Sequence, residues 1–163
     1  MSAVVLASPV LALSVADEKA LSFLHTHTGE RVALTYFAGG AYLSESLARL
    51  DRFLRDHRTG DVHPIDPSLF DLLHELRAAT RARAPFQVIS CYRSPRTNRK
   101  LRAAGSGVAK GSLHLQGRAI DVRVSGVKTS HLRDAAKELR RGGVGYYRDS
   151  DFIHVDTGRV RFW

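Results

Sequence analysis

The chain has 163 residues, enough for one domain with a sizeable core. Its 25 Lys and Arg outnumber 16 acidic residues, giving a formal charge of +9, but they are spread from Lys19 to Arg161 rather than blocked together. That dispersal argues against a nucleic-acid partner and leaves a general attraction for acidic polymers, while the single cysteine excludes an internal disulfide and any zinc site built on several thiols.

Residues 1–16 are apolar and rich in small side chains, and they stop at Asp17-Glu18-Lys19. Leu13-Ser14-Val15-Ala16 has the character of a cleavage zone, so residues 1–16 are expected to be the remnant of an export signal and 17–163 the working domain. The apolar run from Val4 to Ala16 is too short to span a bilayer as a helix, so no stable membrane insertion is expected. Leu21 to Phe37 then alternates around Thr28-Gly29-Glu30, which predicts a hairpin with Gly at its turn. Beyond Gly39-Gly40, Tyr42 to His57 carries Leu43, Leu47, Leu50, Phe53 and Leu54 at mostly helical spacing. This predicts an amphipathic helix capped by Ser44 or the residues before it. A polar connection leads to Asp66-Pro67, which opens a second helix running to about Arg81 with Leu69, Leu72, Leu73 and Leu76 as its buried stripe.

Phe86 to Ser90 reads as a buried strand, continued by Cys91, which is expected to be a small packed thiol rather than a nucleophile. Pro95 to Ala104 reads as a short helix, followed by the Gly-rich loop Gly105 to Ser112. Arg118 to Val124 alternates as a strand. Ser130 to Arg141 predicts a helix that ends at Gly142-Gly143. Gly145-Tyr146-Tyr147 and Phe152 to Asp156 predict two strands joined by a turn at Arg148-Asp149-Ser150. No repeat or linker divides the chain. The expected fold is therefore α+β: a single domain of helices packed on a mainly antiparallel sheet.

Two segments stand apart chemically: Ser112-Leu-His114-Leu-Gln-Gly117-Arg-Ala-Ile-Asp121 and Phe152-Ile-His154-Val-Asp156. A catalytic zinc takes three nitrogen or oxygen ligands and keeps one position open, and His114, Asp121 and His154 supply those types. Gly117 permits a sharp turn that can face His114 toward Asp121. Ala119 and Asp121 share one strand face, as do His154 and Asp156. If the two strands pair, the three ligands converge. His63 and the pair His25 and His27 have no comparable partner set and are read as structural.

The pattern Ser-x-His-x-x-Gly-x-Ala-x-Asp from Ser112 to Asp121 resembles the zinc signature of the D-Ala-D-Ala metallopeptidases, which share a fold with lysostaphin-type enzymes and the hedgehog domain. Ser90-Cys-Tyr-Arg-Ser94 is similar to that group's Ser-Gly-Tyr-Arg-Ser element, with Cys91 in place of Gly. Phe53 to Gly60, Gly142-Gly-Val-Gly-Tyr-Tyr147 and His154-Val-Asp-Thr-Gly158 through Trp163 resemble the murein endopeptidase K-like subfamily. The resemblance implies a zinc-dependent hydrolase of peptidoglycan stem peptides, exported to the periplasm or envelope. It implies one Zn2+ on His114, Asp121 and His154, with Arg93 steadying the oxyanion and Ser112 orienting substrate. Relatives that trim free D-Ala-D-Ala carry a Glu base three residues before the last histidine, where this chain has Asp151. Asp156, on the face of His154, is expected to serve instead, with Asp151 as the alternative. A carboxypeptidase and a non-catalytic zinc-containing wall-binding module are the other readings, and a monomer is expected.

Overall fold

The computed structural model describes residues 18–105 and 109–163; the apolar stretch read as an export remnant and the tip of the Gly-rich loop lie outside them. Alternation of buried Leu21, Phe23 and His25 with half-buried or exposed neighbours makes β1 (Lys19–His25), which turns through Gly29 into the antiparallel β2 (Arg31–Ala38). Gly39 and Gly40 both take positive φ, 59° and 78°, and fold the chain back as β3 (Ala41–Tyr42). They therefore form a second tight turn, and Tyr42 belongs to a strand rather than to the following helix.

Helix α1 covers Ser44–Phe53, four residues short of the expected end at His57. The physical reason is Asp56. Its carboxylate accepts from the backbone N–H of Arg58 and of Ser94, and its carbonyl accepts from Thr59 and Gly60, so the backbone is committed to a turn. The residue before the helix, Leu43, supplies no side-chain cap, and neither does Ser44. Helix α2 (Pro67–Thr80) starts as its sequence dictates, with the Asp66 carboxylate accepting from Ser68 N at 3.0 Å and Pro67 in the first turn. Its stripe of Leu69, Leu72, Leu73 and Leu76 is buried, joined by Phe70.

Strand β4 (Phe86–Ser90) leads to α3 (Pro95–Ala103), capped by Ser94. A single 3-10 turn, Leu113–Gln116, precedes β5 (Ala119–Val124), and helix α4 (Thr129–Leu139) follows. That helix stops earlier than expected, because Arg140 takes the left-handed cap at φ 51°. Gly142 and Gly143 are not its terminator. Gly143 already opens β6 (Gly143–Tyr147), which pairs with β7 (Phe152–Asp156) and β8 (Arg161–Phe162).

The strands form one sheet in the order β3-β2-β1-β4-β5-β7-β6-β8, antiparallel except where β1 meets β4 and β6 meets β8. The α+β architecture with a mainly antiparallel sheet is thus realised. Ile120, Val122, Val124, Ile153 and Val155 join α2 and α4 in the apolar core. Each fully buried aliphatic side chain there contributes about 1.5–3 kcal/mol. The period of two then sends Asp121 on β5 and His154 and Asp156 on β7 to the opposite face. No helix among the described residues is long and apolar enough to cross a membrane.

Candidate metal centre

The β5–β7 register sets Asp121 opposite His154 and Ala119 opposite Asp156, so two of the expected ligands lie side by side on adjacent strands. His114 arrives from the 3-10 turn. Gly117 ends that turn at φ 64°, and its backbone passes so close to Pro64 and His63 that a side chain would collide with them. Two hydrogen bonds latch the turn to the end of β4: His114 Nδ1 donates to the Cys91 carbonyl at 2.6 Å, and Arg93 N donates to the His114 carbonyl at 3.1 Å.

The result is a triangle of ligand atoms. His114 Nε2 lies 3.1 Å from His154 Nδ1 and 3.3 Å from Asp121 Oδ1, and His154 Nδ1 lies 3.0 Å from the same oxygen. All three residues are at least nine-tenths buried. Among the described residues no other group of three His, Cys, Asp or Glu brings its ligand atoms together in this way.

The outer nitrogens fix how the inner ones present themselves. His114 Nδ1 is committed to the Cys91 carbonyl and His154 Nε2 to Asp156 Oδ2 at 2.9 Å, so both inner nitrogens turn lone pairs toward the Asp121 carboxylate. Burial lowers the His114 pKa more than nearby Asp121 raises it, which keeps that imidazole neutral. Burial also opposes charge on His154, but Asp121 and Asp156, one at each ring nitrogen, outweigh it and raise its pKa. The two inner nitrogens and the Asp121 oxygen thus point at one position, which a proton on His154 Nδ1 or a metal ion could take. Ligands about 2.0–2.1 Å from a tetrahedral ion sit about 3.3 Å apart. The observed edges of 3.0–3.3 Å fit that group.

The remaining expected residues fall in different places. Arg93 is 7% exposed, with one guanidinium nitrogen 3.6 Å from Asp121 Oδ2 and a buried Nε lacking any partner. It lines an open cleft of about 450 Å³ together with Ser112, His114, Asp121 and His154. Asp156 is fully enclosed behind His154. Its Oδ1 accepts from Gly143 N, Gly158 N and Arg161 Nη1, and its Oδ2 from His154 and Arg161 Nη2. Burial would raise its pKa, yet these donors hold it well below the usual carboxylate range. Asp151 sits in the β6–β7 turn at φ 51°, accepts from Thr129 Oγ1, and does not line the cleft.

Cys91 is buried and its thiol is pushed up in pKa by desolvation, as a packed side chain rather than a reactive one. His63 stacks on Tyr92 at 4.8 Å, and His25 and His27 gather with His57, the last two rings stacked at 4.2 Å. Tyr147, Phe152, Arg161 and Trp163 also line the cleft. The sequence singled out none of these individually; the run of motifs reaching Trp163 was the only signal that covered them.

The family model described as peptidoglycan L,D-endopeptidase MepK, an M15 peptidase model, matches residues 13–163. The chain is 44% identical over 164 residues to the peptidoglycan L,D-endopeptidase MepK of Escherichia coli (strain K12), covering 100% of this chain and 90% of that protein. The corresponding protein of Shigella flexneri is equally similar, at 44% over the same length. A protein of Haemophilus influenzae named probable peptidoglycan L,D-endopeptidase MepK is 42% identical over 161 residues, 98% of this chain and 87% of that protein.

Proposed function

The chain belongs to the peptidoglycan L,D-endopeptidase MepK family of M15 peptidases, and from that premise we propose that it hydrolyses peptide cross-links of peptidoglycan at a zinc ion held by His114, Asp121 and His154. One observation carries the reading: two imidazole nitrogens and a carboxylate oxygen converge within 3.3 Å while both outer ring nitrogens are engaged elsewhere. Two imidazoles and a carboxylate without a thiol suit zinc, and three protein ligands leave the fourth position that catalysis needs. When bound there, zinc supplies the Lewis acidity that activates water and polarises the scissile carbonyl.

The chain's own residues do the rest. The Arg93 guanidinium, desolvated and fixed beside Asp121, is available to the oxyanion that develops on the substrate carbonyl. Ser112 at the rim of the cleft orients the stem peptide. The Cys91 carbonyl and the Asp156 carboxylate fix the tautomers of His114 and His154, so that each presents a lone pair inward. Asp156 is thus a positioning residue rather than the base that its place on β7 led us to expect, because both of its oxygens are occupied and it is walled off from the cleft. Asp121 is the one acidic residue lining the cleft among the described residues, and Asp151 is outside it. The basic surface favours docking on a carboxylate-rich wall, with the enzyme working as a monomer in the periplasm or envelope.

The test is to incubate the protein with cross-linked muropeptides and separate the products. Dimers are expected to fall to monomers, to survive when a chelator is added, and to fall again when zinc is restored. Intact dimers in the zinc-loaded sample would refute the endopeptidase. Release of a single terminal residue would instead identify a carboxypeptidase. His114→Ala is expected to lose both stoichiometric zinc and cleavage; full zinc content in that variant would overturn the ligand assignment.

A further inference from the structure

Three glycines that catalysis itself leaves unexplained surround one pair of side chains. A Cβ on Gly143 would lie 2.5 Å from Asp156 Oδ2 and 2.6 Å from Arg161 Nη1. One on Gly158 would lie 3.0 Å from Asp156 Oδ1 and 3.2 Å from Arg161 Nη1, and one on Gly145 would lie 2.6 Å from the Trp163 ring. Their lack of side chains therefore keeps open a slot whose occupants are Arg161 and Trp163.

Arg161 exceeds what Asp156 requires. Gly143 N, Gly158 N and His154 Nε2 already bring three donors to that carboxylate. Arg161 adds its end-on edge, with Nη1 3.2 Å from Oδ1 and Nη2 2.7 Å from Oδ2, while Nη1 also donates to the Arg159 carbonyl at 3.1 Å. A guanidinium has five N–H donors, and here Nε–H and the second N–H of Nη2 meet no acceptor among the described residues. These two lie along the side-on edge, the other geometry that takes a carboxylate in bidentate fashion. The side chain is 34% exposed and lines the cleft beside His114 and His154. Trp163 holds it in place: its ring centre lies 5.0 Å from the guanidinium carbon and 5.2 Å from the His154 ring, and its Nε1 donates to Tyr147 Oη at 3.2 Å.

We propose that Arg161 determines specificity, binding a carboxylate on the substrate residue next to the scissile bond through its side-on edge while its end-on edge fixes Asp156. The inference rests on the endopeptidase reading and adds the charge of the residue that the cleft selects. Arg93, pressed against Asp121 on the other side of the ligand triangle, is committed to the carbonyl, so Arg161 is the second cation lining the cleft among the described residues.

The experiment crosses enzyme and substrate. Parent, Arg161→Gln and Arg161→Lys are assayed on a cross-linked muropeptide dimer and on the same dimer with the carboxylates beside the cross-link converted to amides, and zinc content is measured for each protein. For the parent, amidation is expected to lower kcat/KM about 10- to 100-fold, mainly through KM, the size of one charge-assisted bidentate contact. For Arg161→Gln the two dimers should react within about twofold of each other, whatever the overall loss from disturbing Asp156, and Arg161→Lys should show an intermediate preference. An unchanged amidation penalty in Arg161→Gln overturns the proposal, as does a parent indifferent to amidation. If Arg161→Gln does not fold, Arg161→Lys carries the comparison. A parent that cleaves neither dimer refutes the endopeptidase alone, because equilibrium binding of the two dimers to parent and variants still reads the same preference.

Discussion

At His154 the two ring nitrogens have separate tasks, and the difference between them explains why Asp156 is where it is. Nδ1 faces the ligand triangle, while Nε2 is pinned by a buried carboxylate that Gly143 N, Gly158 N and Arg161 also hydrogen-bond. Asp156→Asn removes the charge and half of that acceptor capacity. Zinc affinity is expected to fall about 10- to 100-fold, measured by competition with a chromophoric chelator, and cleavage should fall with it at limiting zinc. Undiminished affinity would show that Asp156 does not act through His154. The convergence of His114, Asp121 and His154 was legible in the sequence because three residues of suitable type sat at spacings that a turn and two paired strands could unite. The duty of Asp156 was not legible. Alternation placed it correctly on the face of His154, but only the side-chain geometry reveals that it meets the far nitrogen of the ring. Arg161 was one of 25 basic residues with no local mark to distinguish it.

Elements fix those residues through their ends more than through their lengths. Asp66 caps α2 at Ser68 N and also accepts from Thr157 Oγ1 at 2.7 Å, so the start of that helix is tied to the residue that follows β7. Asp66→Ala is expected to cost about 1–2 kcal/mol and to lower Tm by about 2–8 °C. Thermal unfolding followed by circular dichroism checks this, and an unchanged Tm would mean that neither bond contributes. This helix start was readable from Asp-Pro alone. The C-terminal ends of α1 and α4 were not, because each is decided by something distant or unusual. Asp56 ends the first by bonding Ser94, 38 positions away, and Arg140 ends the second in a conformation that few residues other than glycine adopt. The 3-10 turn that delivers His114 was equally hidden, since four residues carry too little periodicity to show a pattern.

Across the whole molecule, the sheet order combines what is local with what is remote. The β1–β2 hairpin could be read from its turn, whereas the parallel pairing of β1 with β4 joins residues about 60 positions apart and leaves no trace in either strand. That junction also gathers the histidines. Burial lowers the pKa of His25 to about 4, helped by the neighbouring His27, and burial likewise lowers that of His57 to about 4, helped by Arg58. Both rings are neutral in the folded protein and take up protons more readily once unfolded. Between about pH 6.5 and 4 the unfolded chain therefore binds more protons, and stability falls as the solution is acidified. The buried His25 accounts for about 2–3 kcal/mol of that loss. Urea midpoints measured from pH 7 to 4 should decline in this window, and less steeply for His25→Asn; parallel profiles would remove His25 as a source. The placement of Arg161 and Trp163 also ties the cleft to the stability of the sheet edge. The sheet edge at β8 and the wall over His154 are both built from residues 161–163. Fraying of that edge would therefore loosen the cleft beside His154 without displacing His114, Asp121 or His154 themselves.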